Sequence, residues 1–207
     1  MNKVTNIKVK KTKPVKGRKN VEKRLIDSAA ELVGSIGPNQ LTIRDIAEHA
    51  GVNHAQIHHY FGGKQGLLIA TYKQLAFEHI EQLERRNISP ENLGNEPLAD
   101  ITDNYFRAII RAVLDGNMDL AMIQVDSNLS MSQQTLNRLT KLLNFKKPHS
   151  AAKAAIAIDM IVEFGLASIR PYINEVLELN DKDNDIFMKL FFEARELGLQ
   201  KALKKIK

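Results

Sequence analysis

The sequence predicts an all-α protein, with a three-helix helix-turn-helix unit near its start and a larger helical bundle behind it. Three observations predict it. Leu, Ile, Ala, Glu, Lys and Arg dominate a chain of 207 residues that is 43% hydrophobic and has 0 Trp and only 4 Tyr. Apolar residues recur at helical spacing in nearly every segment. The breaks between segments are written in Gly, Asn and Pro, which stop helices.

Composition narrows the function classes. With 0 Cys, disulfides, a thiolate nucleophile and Cys-ligated zinc are excluded, and a reducing cytoplasm is the expected compartment. No apolar core follows the charged start, so no signal peptide is expected. The longest apolar run, 154–169, is broken by Asp159 and Glu163 and is too short to span a bilayer, so no membrane partner is expected. Charge is uneven: residues 1–64 carry 12 Lys and Arg against 5 Asp and Glu, and the remainder carries 18 against 19. A basic head on a neutral body suits a polyanion partner. Residues 1–19 hold 8 Lys and Arg and no acid, which predicts a disordered basic arm. That arm is either a DNA contact, for example in a minor groove, or a solubilising tail.

The elements follow in order. Val21, Leu25, Ala29, Val33 and Ile36 share one helical face, and Gly37-Pro38-Asn39 ends that helix. Thr42 with Asp45 three residues on reads as a capping box, with Ile43, Ile46, Ala47 and Ala50 inward. Gly51 permits the tight turn that closes this short helix. Asn53 is expected to cap the next one, with Gln56 at the box position, Ile57 inward and Gly62-Gly63 at its end. A long helix is expected over 64–86 and a loop over 89–97. Further helices are expected over 98–114, 119–129, 132–145, 150–174 and 183–205. The predicted organisation is an arm (1–19), a helix-turn-helix unit (20–65) and a helical body (66–207).

Two short capped helices joined by Gly51-Val52 and braced by a preceding helix form a helix-turn-helix. With Ile57 inward, His54, Ala55, His58 and His59 spread over the outer side of the second helix. Such a face can meet base edges in a major groove, although many small helical proteins contain a similar hairpin.

The stretch Thr42-Ile-Arg-Asp-Ile-Ala-Glu-His-Ala-Gly-Val-Asn53, followed by Ile57-His-His-Tyr-Phe61 and Lys64-Gln-Gly-Leu-Leu68, resembles the signature of the tetracycline-repressor-like (TetR) family. The resemblance is dense over 21–68; beyond that only length and helix content fit. It implies that this unit binds double-stranded DNA, and that the body dimerises and holds a small-molecule effector of unknown identity. It implies phosphate contacts at Thr42, Tyr60 and Lys64, and base approaches at Arg44, His54, Ala55, Gln56 and His59. Position 58 departs from the family pattern, where a Tyr meets a phosphate. His58 can donate from a neutral ring or add charge, so operator affinity is expected to rise as pH falls from about 7.5 to 6. Gly62, Gly63 and Gly66 are a second departure, read either as a hinge or as a helix terminus. His54 and His58 have the spacing of a metal pair, but no third ligand is in evident reach, and no metal or cofactor is assigned.

In the body, residues 150–169 are apolar nearly all round, as a buried helix should be. Phe187, Leu190, Phe191, Ala194 and Leu197 form a stripe too apolar for a free surface. It is either internal core or, as the resemblance implies, a dimer interface on the last two helices. An effector cavity would lie among the middle helices, with Tyr105, Met122 and Phe164 as apolar lining and His79, Asn104 and Gln124 as polar anchors. No nucleophile elbow, phosphate loop or metal cluster appears, so no catalytic residue is assigned and an enzyme is not expected. The expected function is a homodimeric, ligand-responsive repressor on a palindromic operator, released by a mainly apolar inducer. The alternative is a DNA-bound adaptor of the same fold without an inducer.

Overall fold

The computed structural model describes residues 17–89 and 104–204, and among these every element beyond a single bridge residue at Ser89 is helical. The helices are α1 (Arg18–Ile36), α2 (Ile43–Ala50), α3 (Ala55–Phe61), α4 (Lys64–Arg85) and α5 (Asn104–Leu114). They continue with α6 (Met118–Asp126), α7 (Met131–Leu142), α8 (Ser150–Val176) and α9 (Asp181–Lys204). Most of the expected arm (1–16) and the expected loop over 90–97 lie outside the described residues. Arg18 and Lys19, assigned to the arm, instead open α1. Arg18 pairs with Glu22 one turn on at 2.8 Å, and both basic residues are good helix formers.

Local capping sets the short helices. Thr42 Oγ1 accepts the Asp45 N–H at 3.1 Å while the Asp45 carboxylate accepts the Thr42 N–H at 2.9 Å, closing the capping box of α2. Gly51, at φ 62°, ends α2 in the left-handed region. The start of α3 differs from expectation. Asn53 Oδ1 accepts the N–H of Ala55 at 2.9 Å, an Asx turn, in place of a reciprocal box with Gln56.

One apolar core joins the helix-turn-helix to the body. It runs from Ile46 and Ile57 through Leu25 and Val33 to Tyr72 and Ile109. Ile57 is fully buried, and burying such a side chain contributes about 1.5–3 kcal/mol. A helix of seven residues cannot hold alone, so this anchor and the packing of α3 on α4 seat it. A polar latch adds to the joint. The Asn39 N–H donates to Asp115 Oδ2 at 3.0 Å and its Nδ2 to the Asp115 carbonyl at 2.9 Å, while Asn117 Nδ2 donates to Asn39 Oδ1 at 2.6 Å. The turn before α2 is thereby pinned to the turn between α5 and α6.

The C-terminal pair corrects one expectation. The helix over 150–169 is not buried all round: Ile158, Ile161 and Ile169 stand exposed, and Tyr172 continues their face of α8. Glu163 pairs with Arg195 of α9 at 3.3 Å, a tertiary contact, and Arg170 donates to Asn184.

Candidate nucleic-acid interface

The helix-turn-helix turns its polar residues outward. Thr42, Arg44, His54, Ala55, His58 and His59 are exposed, and Gln56, Tyr60 and Lys64 are half-buried at the edge of the same unit. No carboxylate occurs between Asn53 and Phe61, so the outer side of α3 presents imidazoles and an amide without a charge that would repel phosphate. Imidazoles and amides suit base edges, and Arg44 and Lys64 suit phosphates or guanine. The Lys64 ammonium donates to the Asn39 carbonyl at 3.2 Å, which ties this cation to the latch. At the other end, the Arg18 guanidinium lies 5.6 Å from the Tyr60 ring centre, and His59 meets the Tyr60 ring edge-on at 4.9 Å. Thr42, whose hydroxyl donates to Asp45 at 2.6 Å, holds the Asp45 carboxyl below the ordinary aspartate range.

Two supports of this face escape sequence reasoning. Arg24 of α1 donates to the Ala50 carbonyl at the end of α2, and a pairing across 26 residues leaves no local signal. Gly66 is the other. A Cβ there would meet the Phe61 carbonyl oxygen far inside the 3.0 Å that Cβ atoms essentially never breach. Gly62 ends α3 at φ 71°, so the glycines serve different ends: Gly62 turns the chain, and Gly66 lets α4 close on the end of α3.

Among the described residues of the body, two cavities share Asp159, Met131 and Ser132 in their linings. One, of about 180 Å³, opens between α7, α8 and α9. The other, of about 30 Å³, is bordered by His79, Tyr105, Gln124 and Phe164, four of the six residues expected at an effector site. His79 is buried and stacks on Tyr105 at 4.3 Å, and the Tyr105 hydroxyl donates to Gln124. Asn104 faces the opposite side of this wall, a polar crevice of about 530 Å³ between α1, α4 and α5 that His79 and Tyr105 also border. Met122 stands 41% exposed on α6, away from both cavities. Of the four expected interface residues, Leu190 and Ala194 are exposed, Phe187 is half-buried, and Phe191 turns inward to line the larger cavity.

Residues 25–71 match the family model described as bacterial regulatory proteins, tetR family. Over this segment, which holds the helix-turn-helix, the chain is similar to the tetR family. Curated relatives are named as HTH-type transcriptional regulators. The chain is 33% identical over 100 residues to the HTH-type transcriptional regulator BetI 2 of Chromohalobacter salexigens, covering 48% of this chain and 43% of that protein. It is 38% identical over 86 residues to BetI of Brucella canis, covering 42% and 43%. The match thus spans less than half the length of these relatives. A longer match, 25% identical over 82% of this chain and 84% of the relative, is to an HTH-type transcriptional regulator of Mycobacterium bovis. Among solved structures, a tetR-family transcriptional regulator from Streptomyces coelicolor aligns with TM-score 0.50 at 16% identity, over 91% of this chain and 90% of that one. A HlyIIR mutant protein aligns with TM-score 0.51 at 20% identity, over 82% and 96%. These two likenesses establish the shared all-helical fold.

Proposed function

We propose that this chain is a cytoplasmic, ligand-responsive transcriptional repressor of the tetR family that binds a palindromic operator as a homodimer and is released by a small, mainly apolar inducer. The observation that carries the reading is the acid-free outer face of α3, flanked by Arg44 and Lys64 and anchored beneath by Ile57. In this reading Thr42, Tyr60, Lys64 and His58 hold phosphates, while Arg44, His54, Ala55, Gln56 and His59 approach bases.

A second surface supports the homodimer. Ile161, Ile169 and Tyr172 on α8 and Ile186, Leu190 and Leu197 on α9 are each at least half exposed, so two helices present apolar faces to water. A contiguous apolar face of this kind marks an interaction surface. Pairing it with a second copy makes a twofold contact and sets two recognition helices against two half-sites about 34 Å apart. Inducer binding in the body then favours a spacing that no longer fits the operator. Coupling of this type amounts to about 1–3 kcal/mol.

The test is selection of duplex DNA from a random library by the purified protein, followed by titration of the enriched duplex at two salt concentrations. A palindrome bound far more tightly than random DNA is the expected result. Strong salt dependence without any enriched palindrome, persisting after the protein is denatured and refolded to strip a carried ligand, would overturn it.

A further inference from the structure

The cavities of the body differ in what they can hold. The crevice between α1, α4 and α5 is bordered by Asp27, Glu31 and Glu78 and suits water. The space beside His79 and Gln124, about 30 Å³, has room for about one water molecule. The cavity between α7, α8 and α9 is of another kind. It measures about 180 Å³ and is bordered by Met131, Ile156, Val162, Phe191 and Ala194. An apolar cavity of about 150 Å³ takes up benzene, so this one has room for about seven carbon-sized atoms.

A polar group on that border lacks a partner. Thr135 is 8% exposed, and among the described residues its hydroxyl meets no hydrogen-bond partner. A local bond is open to a helical threonine: Thr71 and Thr140 each donate to the carbonyl four residues back, at 2.8 and 2.7 Å. Thr135 does not take that bond. A buried hydroxyl left unpaired is costly, and a ligand hydroxyl or carbonyl beside it would meet the need. The charged groups of the border offer an ion less. Asp159 and Arg195 hold each other, with Asp159 Oδ1 2.6 Å from Arg195 Nε. An ion entering the cavity finds these counter-charges already paired and still bears the cost of leaving water. Burial pushes the Asp159 carboxyl above the ordinary aspartate range even against the pull of Arg195, the mark of a poorly solvated wall.

We propose that the cavity between α7, α8 and α9 binds an uncharged aliphatic molecule of about seven carbons bearing one hydroxyl or carbonyl, which pairs with the Thr135 hydroxyl. This assignment names the class and the seat of the inducer and so rests on the ligand-responsive reading above. Calorimetric titration of the full chain with heptan-1-ol, heptylammonium and heptanoate tests it. Heptan-1-ol is expected to bind at least about tenfold more tightly than either ion. Thr135→Val keeps the shape and removes the hydroxyl, and is expected to weaken heptan-1-ol about threefold to tenfold. Because that hydroxyl makes no bond within the described chain, the melting temperature of Thr135→Val should equal or exceed that of wild type. Ala155→Phe, at the border of the cavity, fills the space and is expected to abolish binding of the alcohol.

An ion bound as tightly as the alcohol, no saturable binding of the alcohol, or an unchanged affinity in Thr135→Val overturns the assignment. The wild-type ranking and Thr135→Val decide this even if Ala155→Phe does not fold. Operator titrations separate the two levels. Release of the operator by heptan-1-ol supports both. If heptan-1-ol binds with the expected ranking but leaves operator affinity unchanged, the cavity assignment stands and the inducer reading fails. If either ion releases the operator and the alcohol does not, the inducer reading stands and the assignment fails.

Discussion

The latch between Asn39 and the turn from α5 to α6 can be taken apart bond by bond. Three hydrogen bonds cross it: Asn39 N–H to Asp115 Oδ2 at 3.0 Å, Asn39 Nδ2 to the Asp115 carbonyl at 2.9 Å, and Asn117 Nδ2 to Asn39 Oδ1 at 2.6 Å. Asn39→Ala removes the two made by its side chain, and adding Asp115→Ala removes the third. A net intramolecular bond contributes about 0.5–1.5 kcal/mol, and these lie where water competes, so the lower half of that range applies. The double variant is therefore expected to lose about 2 kcal/mol, and Asn39→Ala alone about 1 kcal/mol. Urea unfolding with an unchanged slope measures both. A cycle of Asn39→Ala with Asn117→Ala isolates the 2.6 Å side-chain pair and should give a coupling of about 0.5–1 kcal/mol. Operator affinity should fall by no more than about threefold, because Lys64 donates to the Asn39 main-chain carbonyl, which survives. A double variant within about 0.5 kcal/mol of wild type would refute the reasoning, since water would then replace the latch without loss.

Four further outcomes are expected. Gly66→Ala forces the ends of α3 and α4 apart, costing about 2–3 kcal/mol and abolishing operator binding; a wild-type melting temperature and operator Kd would contradict the packing account. Thr42→Ala loses a cap and about 1 kcal/mol. Because the Asp45 carboxyl is held below its ordinary range, its contribution is present above that range and fades as pH falls below about 4; the stability gap between wild type and Asp45→Asn should close there, and a gap constant down to pH 2.5 would refute it. Ile161→Glu with Leu190→Glu places charges on the exposed apolar face and is expected to yield a folded monomer by light scattering, with operator affinity reduced at least about a hundredfold; a persistent dimer would move the interface elsewhere.

What the sequence makes legible follows the range of the interaction. The Thr42–Asp45 box and the Gly51 turn are decided within a few residues, and both are found as read. The Asx turn at Asn53 differs from a box by which N–H the side chain reaches, a choice made by the tight first turn of α3. Glu163 shows the limit more clearly. Nothing near it in sequence marks its partner, because α9 returns Arg195 to it from 32 positions away. Gly66 was open to reading as a hinge or a helix terminus because absence of a side chain leaves no pattern; only the approach of the Phe61 carbonyl reveals that the space is full. The cavity was partly legible, since His79, Tyr105 and Gln124 were picked for their chemistry and do converge, while Met122 lies on the wrong side of α6, a helix apolar enough to hide which face is inward.

The candidate reading face lies before residue 65, and the exposed apolar faces of α8 and α9 lie beyond residue 150. If these surfaces serve recognition and pairing as proposed, damage to one leaves the other intact, with a genetic consequence. A subunit altered at Arg44 and His54 would still pair, and at equal expression random assortment leaves only about one quarter of dimers with two competent heads. Such an allele would act dominantly, derepressing the target beside a wild-type copy. An allele altered at Ile161 and Leu190 would be recessive, because its product cannot enter the partner's dimer.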